Sequence, residues 1–202
     1  MSGPSAQQPA QPSQESWRGR RVLVGVTGGI AAYKVCTVVS RLAQAGAEVT
    51  VAMTEAATKF VGPVTFQALS GRPVFTSAWD QLDGADPQHI RLASALDVAV
   101  VAPCTMDFLA KLATGRTDDM VSLILSAVDR ARTPVLLAPS MNAAMWAQPS
   151  TQRNLRTLAE DGFSFVGPDE GWQACRTVGA GRMSEPEEIL SALAAAVKAG
   201  RA

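Results

Sequence analysis

The chain has 202 residues and only three cysteines, Cys36, Cys104 and Cys175, with no paired spacing among them. An odd and scattered set of thiols argues against a disulfide framework and against a structural zinc site, and at least one thiol stays free. Charge of either sign is not in excess: Lys+Arg and Asp+Glu are 18 each. Without a basic field or a polybasic segment, nothing invites nucleic acid or an anionic membrane, so the expected partner is a small molecule or another protein. No apolar run approaches the roughly 18 residues of a membrane span. The amino terminus also lacks the charged-then-apolar order of a secretory signal, and the expectation is a cytoplasmic protein. Histidine occurs once, as His89. It is the one side chain naturally suited to move a proton near neutrality, although a lone histidine near a helix start is more often a surface or capping residue.

What is present suits one domain with a sizeable core, at 47% hydrophobic and 18% charged residues. Residues 1–19 are Pro, Gln, Ser, Gly and Ala with little to bury, which predicts a disordered tail pinned near Trp17, followed by one domain over 20–202. Short continuous apolar runs at Val22–Val26, Glu48–Met53, Val98–Ala102, Val135–Ala138 and Phe163–Val166 read as strands. Helical periodicity runs from Ile30 to Ala45, over 88–95, 105–126 and 151–161, and from Glu185 to Ala199. Strands alternating with helices predict a parallel, doubly wound (Rossmann- or flavodoxin-like) α/β sheet in three layers.

Four segments could carry chemistry. Gly25-Val26-Thr27-Gly28-Gly29-Ile30 follows a strand and opens a helix, so its N–H groups could receive a phosphate; it is not the full G-x-G-x-x-G spacing, and glycines in a tight turn have a structural reason of their own. Past the second strand, Thr54 fits a helix cap, and Glu55 stands where a dinucleotide enzyme grips a ribose. Pro103-Cys104-Thr105-Met106-Asp107-Phe108 ends the next buried run, with Thr105 able both to cap a helix and to meet a phosphate. Pro139-Ser140-Met141-Asn142-Ala143-Ala144-Met145-Trp146 sets an amide at the carboxyl end of a buried strand, where open α/β sheets bind ligands. Asp118 and Asp119 read as the N-terminal pair of a helix; further ligands are lacking, and no metal is expected. Glu170 to Met183 is glycine-rich and without periodicity, as either a surface loop or a mobile flap would be, with the thiol of Cys175 between Arg176 and Arg182.

Taken together, four motifs resemble those of the homo-oligomeric flavin-containing cysteine decarboxylases from about Arg21 onward: Gly-Gly-Ile-Ala-Ala-Tyr-Lys at Gly28 to Lys34, His-Ile-x-Leu at His89 to Leu92, Pro-x-Met-Asn-x-x-Met-Trp at Pro139 to Trp146, and Ala-Cys with Gly-x-Gly-Arg-Met at Ala174 to Met183. The resemblance implies FMN held by Gly28, Gly29, Ile30, Thr54, Thr105, Met106, Asp107, Phe108 and Ser140. It implies His89, Asn142 and Cys175 as catalytic residues, and substrate contacts from Asn142, Met145, Ala174 and Arg182. It also implies a homo-oligomer, trimer or dodecamer, with flavin sites between subunits. Two positions depart from the pattern. Arg176 stands where the family usually has Gly, and Pro103-Cys104-Thr105-Met106 is more similar to the related prenyl-flavin synthases.

The implied reaction explains the need for a cofactor. A cysteine carboxylate loses carbon dioxide slowly because the electrons left on Cα have no acceptor, and a flavin supplies one. The implied substrate is phosphopantothenoylcysteine, on the way to coenzyme A. A peptide ending in cysteine is the alternative, with an enethiol as product, and a non-catalytic regulatory family member is the third reading.

Overall fold

Strands buried on both faces need apolar residues at every position rather than a polar–apolar alternation, and the Val-rich runs supply them. In the computed structural model, which describes residues 17–79, 88–174 and 176–199, six strands form one parallel sheet. They are β1 (Arg21–Val26), β2 (Glu48–Met53), β3 (Val74–Phe75), β4 (Val98–Cys104), β5 (Val135–Pro139) and β6 (Ser164–Phe165), in the spatial order β3-β2-β1-β4-β5-β6. Val22, Val24, Val98, Val100 and Leu136 face one layer, where α1 (Ala32–Gln44), α2 (Pro63–Ser70) and α8 (Pro186–Ala199) pack through Val35, Val38, Leu42, Phe66, Ile189 and Leu193. Leu23, Ala99, Val101, Val135 and Leu137 face the other. There α3 (Gln88–Ala95), α4 (Met106–Ala113), α5 (Met120–Ser126) and α7 (Pro149–Glu160) contribute Ala93, Phe108, Leu109, Ile124, Leu125 and Leu158. This is the predicted three-layer doubly wound α/β sheet. A short α6 (Ala143–Trp146) follows β5, and β7 (Asp169–Trp172) pairs with β8 (Val178–Arg182) as a separate antiparallel ribbon.

Several predicted boundaries move. The helical periodicity over 105–126 is interrupted: α4 ends at Ala113, Gly115 turns left-handed at φ +68°, and Asp119, of the pair read as a helix start, opens a new helix by accepting from the Ser122 N–H at 2.9 Å. The reciprocal Asp119–Ser122 capping box outcompetes continuation of the helix. The segment expected to be aperiodic over Glu170 to Met183 contains the β7–β8 ribbon, whose strands are hidden in the sequence because glycines occupy Gly171, Gly179 and Gly181. The pair α2–β3 escaped prediction although its marks are ordinary: Pro63 at the first helical position and Gly71 at φ +67° after the last. Trp17 is 2% exposed within the first core layer, and Gly19 N–H donates to the Gly46 carbonyl, so the chain is fastened there; residues 1–16 lie outside the described residues. Among the described residues no helix is long and apolar enough to cross a membrane, and no group of three potential metal-ligating side chains occurs.

Candidate functional site

β1 and β4 are neighbours, and the chain leaves them in opposite directions, to α1 on one face and α4 on the other. That reversal opens a crevice at the carboxyl ends of the strands. A cleft of about 1170 Å³ lies there, above the range of roughly 300–1,000 Å³ that holds one drug-sized ligand.

The floor is made by the turns after β1, β2, β4 and β5. Thr27, 1% exposed, donates its hydroxyl to the Pro103 carbonyl at 2.6 Å and accepts from the Thr105 N–H at 3.2 Å. This ties the β1 turn to the β4 turn. Thr105 caps α4 by accepting from the Phe108 N–H at 3.3 Å, and Thr54 accepts from the Ala57 N–H at 3.3 Å in the turn that leads into a short 3₁₀ helix, whose N-cap is Ala56 rather than the expected Thr54. Gly28 is required by packing: a Cβ there would stand 2.5 Å from the Ala56 Cβ. At the end of β5, Ser140 N–H donates to the Cys104 carbonyl, and the Asn142 Oδ1 accepts from the Ala144 N–H at 2.8 Å, which fixes the asparagine rotamer at the cap of α6.

The roof is the β7–β8 ribbon, which contributes Trp172, Gln173, Ala174, Gly181, Arg182 and Met183. Its tip is closed by Gln173 N–H to Thr177 O at 2.8 Å and Arg176 N–H to Gln173 O at 2.9 Å. Arg176 takes φ +64°, the one positive-φ residue other than glycine among the described residues. Glycine adopts that backbone freely, so the departure noted at this position occupies a place where glycine would be unstrained.

Two charge groups line the walls. Lys34 Nζ donates to Glu185 Oε1 at 2.9 Å and Arg182 reaches the same oxygen. The Lys34 hydrogen bond, helped by Arg182, holds the Glu185 carboxyl below the usual range. On the opposite wall Lys111 is 2.8 Å from Asp118 and 2.5 Å from Asp119; burial works against its charge, but the two carboxylates hold its ammonium above the ordinary value. Burial raises the thiol of Cys104, which is fully enclosed, and that of Cys36, so neither is a ready nucleophile.

The cleft gathers Gly28, Gly29, Ile30, Thr54, Thr105, Met106, Asp107, Phe108, Ser140, Asn142, Met145, Ala174 and Arg182, together with Glu55. His89 is not among its lining residues. It stands half-buried at the second position of α3, which packs against α5. Cys175 lies outside the described residues. Residues without a predicted role that reach the cleft include Thr27, Lys34, Lys111 and Gln173. Lys34 and Gln173 sit inside or beside the motifs, but only the three-dimensional pairing reveals their use.

The sequence model of the flavoprotein family matches residues 10–198. The chain belongs to the flavoprotein family. Relatives of this flavoprotein include the coenzyme A biosynthesis bifunctional protein CoaBC of Bacillus subtilis (strain 168), 46% identical over 171 residues, with 85% of this chain and 41% of that protein covered. CoaBC of Escherichia coli (strain K12) is 44% identical over 175 residues, covering 87% and 42%. The flavoprotein thus spans about two-fifths of the length of these curated relatives. Among solved structures, the FMN-dependent cysteine decarboxylase SpaF superimposes with a TM-score of 0.75 at 32% identity, covering 91% of this chain and 98% of that one. A PPC decarboxylase mutant complexed with pantothenoylaminoethenethiol gives a TM-score of 0.75 at 31% identity, covering 87% and 96%.

Proposed function

We propose that this flavoprotein binds FMN in the switch-point cleft and decarboxylates a cysteine carboxylate, with phosphopantothenoylcysteine as substrate and the saturated thiol as product. The observation that carries the reading is that one cleft joins the glycine turn, the Thr105-capped end of α4 and Asn142, beneath a ribbon bearing Ala174 and Arg182. The residues fit a flavin nucleotide. The first N–H groups of α4 have no partners within the helix, and their field favours an anion such as the cofactor phosphate. The Asp107 carboxylate, in the same turn, accepts hydrogen bonds and so suits a hydroxyl or N–H rather than that phosphate. Gly29 carries no Cβ on the side of Thr105 and Pro103, which leaves its backbone open to a ligand.

FMN, when bound, supplies the reversible two-electron acceptor that no side chain of this chain provides. The protein's part is to position and to move protons. Asn142, locked at its helix cap, orients the carboxylate or neighbouring amide of the substrate, while Met141, Met145 and Trp172 cover the site against water. Cys175 donates the proton that accompanies the return of the two stored electrons to an enethiol, giving the saturated thiol, and His89 transfers protons around the substrate. Since His89 is outside the cleft of its own chain, a neighbouring copy delivers it, as a homo-oligomer, trimer or dodecamer, would. Exposed apolar side chains support that assembly: Ile90 beside the histidine is 51% exposed, and Ile30 and Tyr33 on the cleft rim are 59% and 60% exposed.

Mass spectrometry of the products from phosphopantothenoylcysteine and from a peptide ending in cysteine tests the reading. Saturated phosphopantetheine from the first supports it, and turnover of the peptide alone overturns the substrate. His89→Asn should keep FMN and lose about 10²–10⁴-fold in carbon dioxide release. Unchanged release would remove the histidine from the chemistry. A wild-type protein that carries FMN but releases no carbon dioxide from either substrate would leave the regulatory reading.

A further inference from the structure

At the carboxyl ends of β1 and β4 two turns that face the same space are tied together by a single side chain. The two strands run in register as far as Gly25 and Val101, and β4 then loses register with β5 between Val101 and Cys104. Beyond that point Thr27, 1% exposed, takes over from the ladder. Its hydroxyl donates to the Pro103 carbonyl at 2.6 Å and accepts from the Thr105 N–H at 3.2 Å, while its own carbonyl accepts from the Gly29 N–H at 3.0 Å. One residue thereby closes the glycine turn and fastens the start of α4 to it. Gly28, Gly29, Thr105, Met106 and Asp107 all line the cleft beside this tie.

The donors that α4 offers a ligand follow from the number of protons. A hydroxyl has one, and at 2.6 Å that of Thr27 is committed to Pro103. The 3.3 Å contact between the two hydroxyls therefore makes Thr105 the donor, while the same Thr105 oxygen accepts from the Phe108 N–H. The Thr105 N–H is spent on Thr27, and the Leu109 N–H on the Thr105 carbonyl. In the first turn of α4 the N–H groups of Met106 and Asp107 have no acceptor within the helix. These two and the Thr105 hydroxyl, which can swing from Thr27 to an anion, are what this turn presents. Without the Thr27 hydroxyl the buried Pro103 carbonyl loses a donor, the Thr105 N–H loses its acceptor, and the two turns lose the bonds that set their spacing.

We infer that Thr27 is a positioning residue for the cofactor phosphate: its hydroxyl holds the glycine turn and the start of α4 at the spacing at which both serve one anion, and so gives the site its preference for a phosphorylated flavin. The inference deepens the cofactor part of the proposed function and rests on it. Its consequence is selective. Riboflavin, which lacks the phosphate, gains nothing from the tie, whereas FMN depends on it.

Purified holoenzyme tests this with Thr27→Val, which keeps the branched shape and removes the hydroxyl, and with Thr27→Ser, which keeps the hydroxyl. Each protein is equilibrated with equal concentrations of FMN and riboflavin, and the ratio of the two in the bound fraction is read by chromatography. Thr27→Val should lower the FMN-to-riboflavin ratio by about tenfold, as the loss of one charge-assisted hydrogen bond allows. Thr27→Ser should keep the wild-type ratio. An unchanged ratio in Thr27→Val, even with both flavins held more weakly, would show that the hydroxyl serves packing alone and would overturn the inference. So would a ratio in Thr27→Ser as low as that in Thr27→Val. Should Thr27→Val fold poorly, unmodified holoenzyme decides through scalar couplings between the FMN phosphorus and backbone amides. A coupling at Met106 or Asp107 with none at Thr105 supports the assignment; a coupling at Thr105, or at none of the three, refutes it. A wild-type protein that binds riboflavin as tightly as FMN would sink the phosphate placement in the proposed function, whereas a wild-type preference that survives in Thr27→Val sinks this inference alone.

Discussion

On the floor of the cleft Thr27 is 1% exposed and bonded to Pro103 at 2.6 Å, and Gly28 packs so closely on Ala56 that no side chain fits; on the roof Trp172 and Val178 are 64% and 73% exposed. The floor turns are continuations of four core strands, whereas the ribbon has two strands of its own and is seated by Gln173, one backbone bond and the Arg182–Glu185 ion pair. Two-stranded ribbons are marginal alone, and segments with few buried apolar contacts open at low free energy. Damage to the floor should therefore appear as lost stability and lost cofactor. Damage to the roof should appear in turnover and local exchange.

The largest expected effect comes from breaking the floor. In Gly28→Val the new Cβ lies 2.5 Å from the Ala56 Cβ and 3.1 Å from its carbonyl carbon, so backbone has to move. The cost is about 1–3 kcal/mol, or roughly 2–12 °C in Tm for a chain of this size, with loss of FMN on purification. Calorimetry and the flavin absorbance check this; a flavin-loaded variant of wild-type Tm would show that the floor is more pliant than the roof. Thr105→Val ranks next. It removes the acceptor for the Phe108 N–H and the 3.3 Å contact with the Thr27 hydroxyl, costing about 1–2 kcal/mol and weakening FMN by about tenfold in a titration, with ribbon exchange unaltered.

The smallest effect lies where the two regions touch. Glu185 receives Lys34 from α1, the helix that follows the β1 turn of the floor, and Arg182 from the roof, and its folded pKa is depressed, first by the Lys34 hydrogen bond. A depressed carboxyl stabilises the fold above its unfolded pKa of about 4.3 and loses that contribution as pH falls through the folded value. Its side chain is 41% exposed, so screening limits the gain to less than about 1 kcal/mol. Urea unfolding of Glu185→Gln should show a small deficit at about pH 7 that disappears toward pH 3 and shrinks in 1 M salt. A deficit independent of pH would mean that shape rather than charge joins roof to floor.

The same contrast explains what could be read from the chain alone. The floor was legible because its signals are local: β2 falls on Glu48–Met53 as predicted, Thr105 caps the helix it precedes, and Asn142 ends a buried strand. The roof was not, since Gly171, Gly179 and Gly181 erase the strand pattern and the grip of Gln173 is on carbonyls six, seven and thirty-two residues away. The meeting of Lys34 with Glu185, 151 residues apart, carries no sequence signal either. The placement of His89 outside the cleft of its own chain is set by the packing of α3 on α5, which periodicity cannot supply.

At Arg176 the backbone already follows the left-handed path, at φ +64°, with the tip closed by main-chain bonds on both sides of it. Because glycine and asparagine take that path at least as readily as arginine, the charge and reach at this spot can be rewritten by single replacements that ask nothing of the strands below. Arg176 is not among the residues that line the cleft, so such replacements leave its floor as it is.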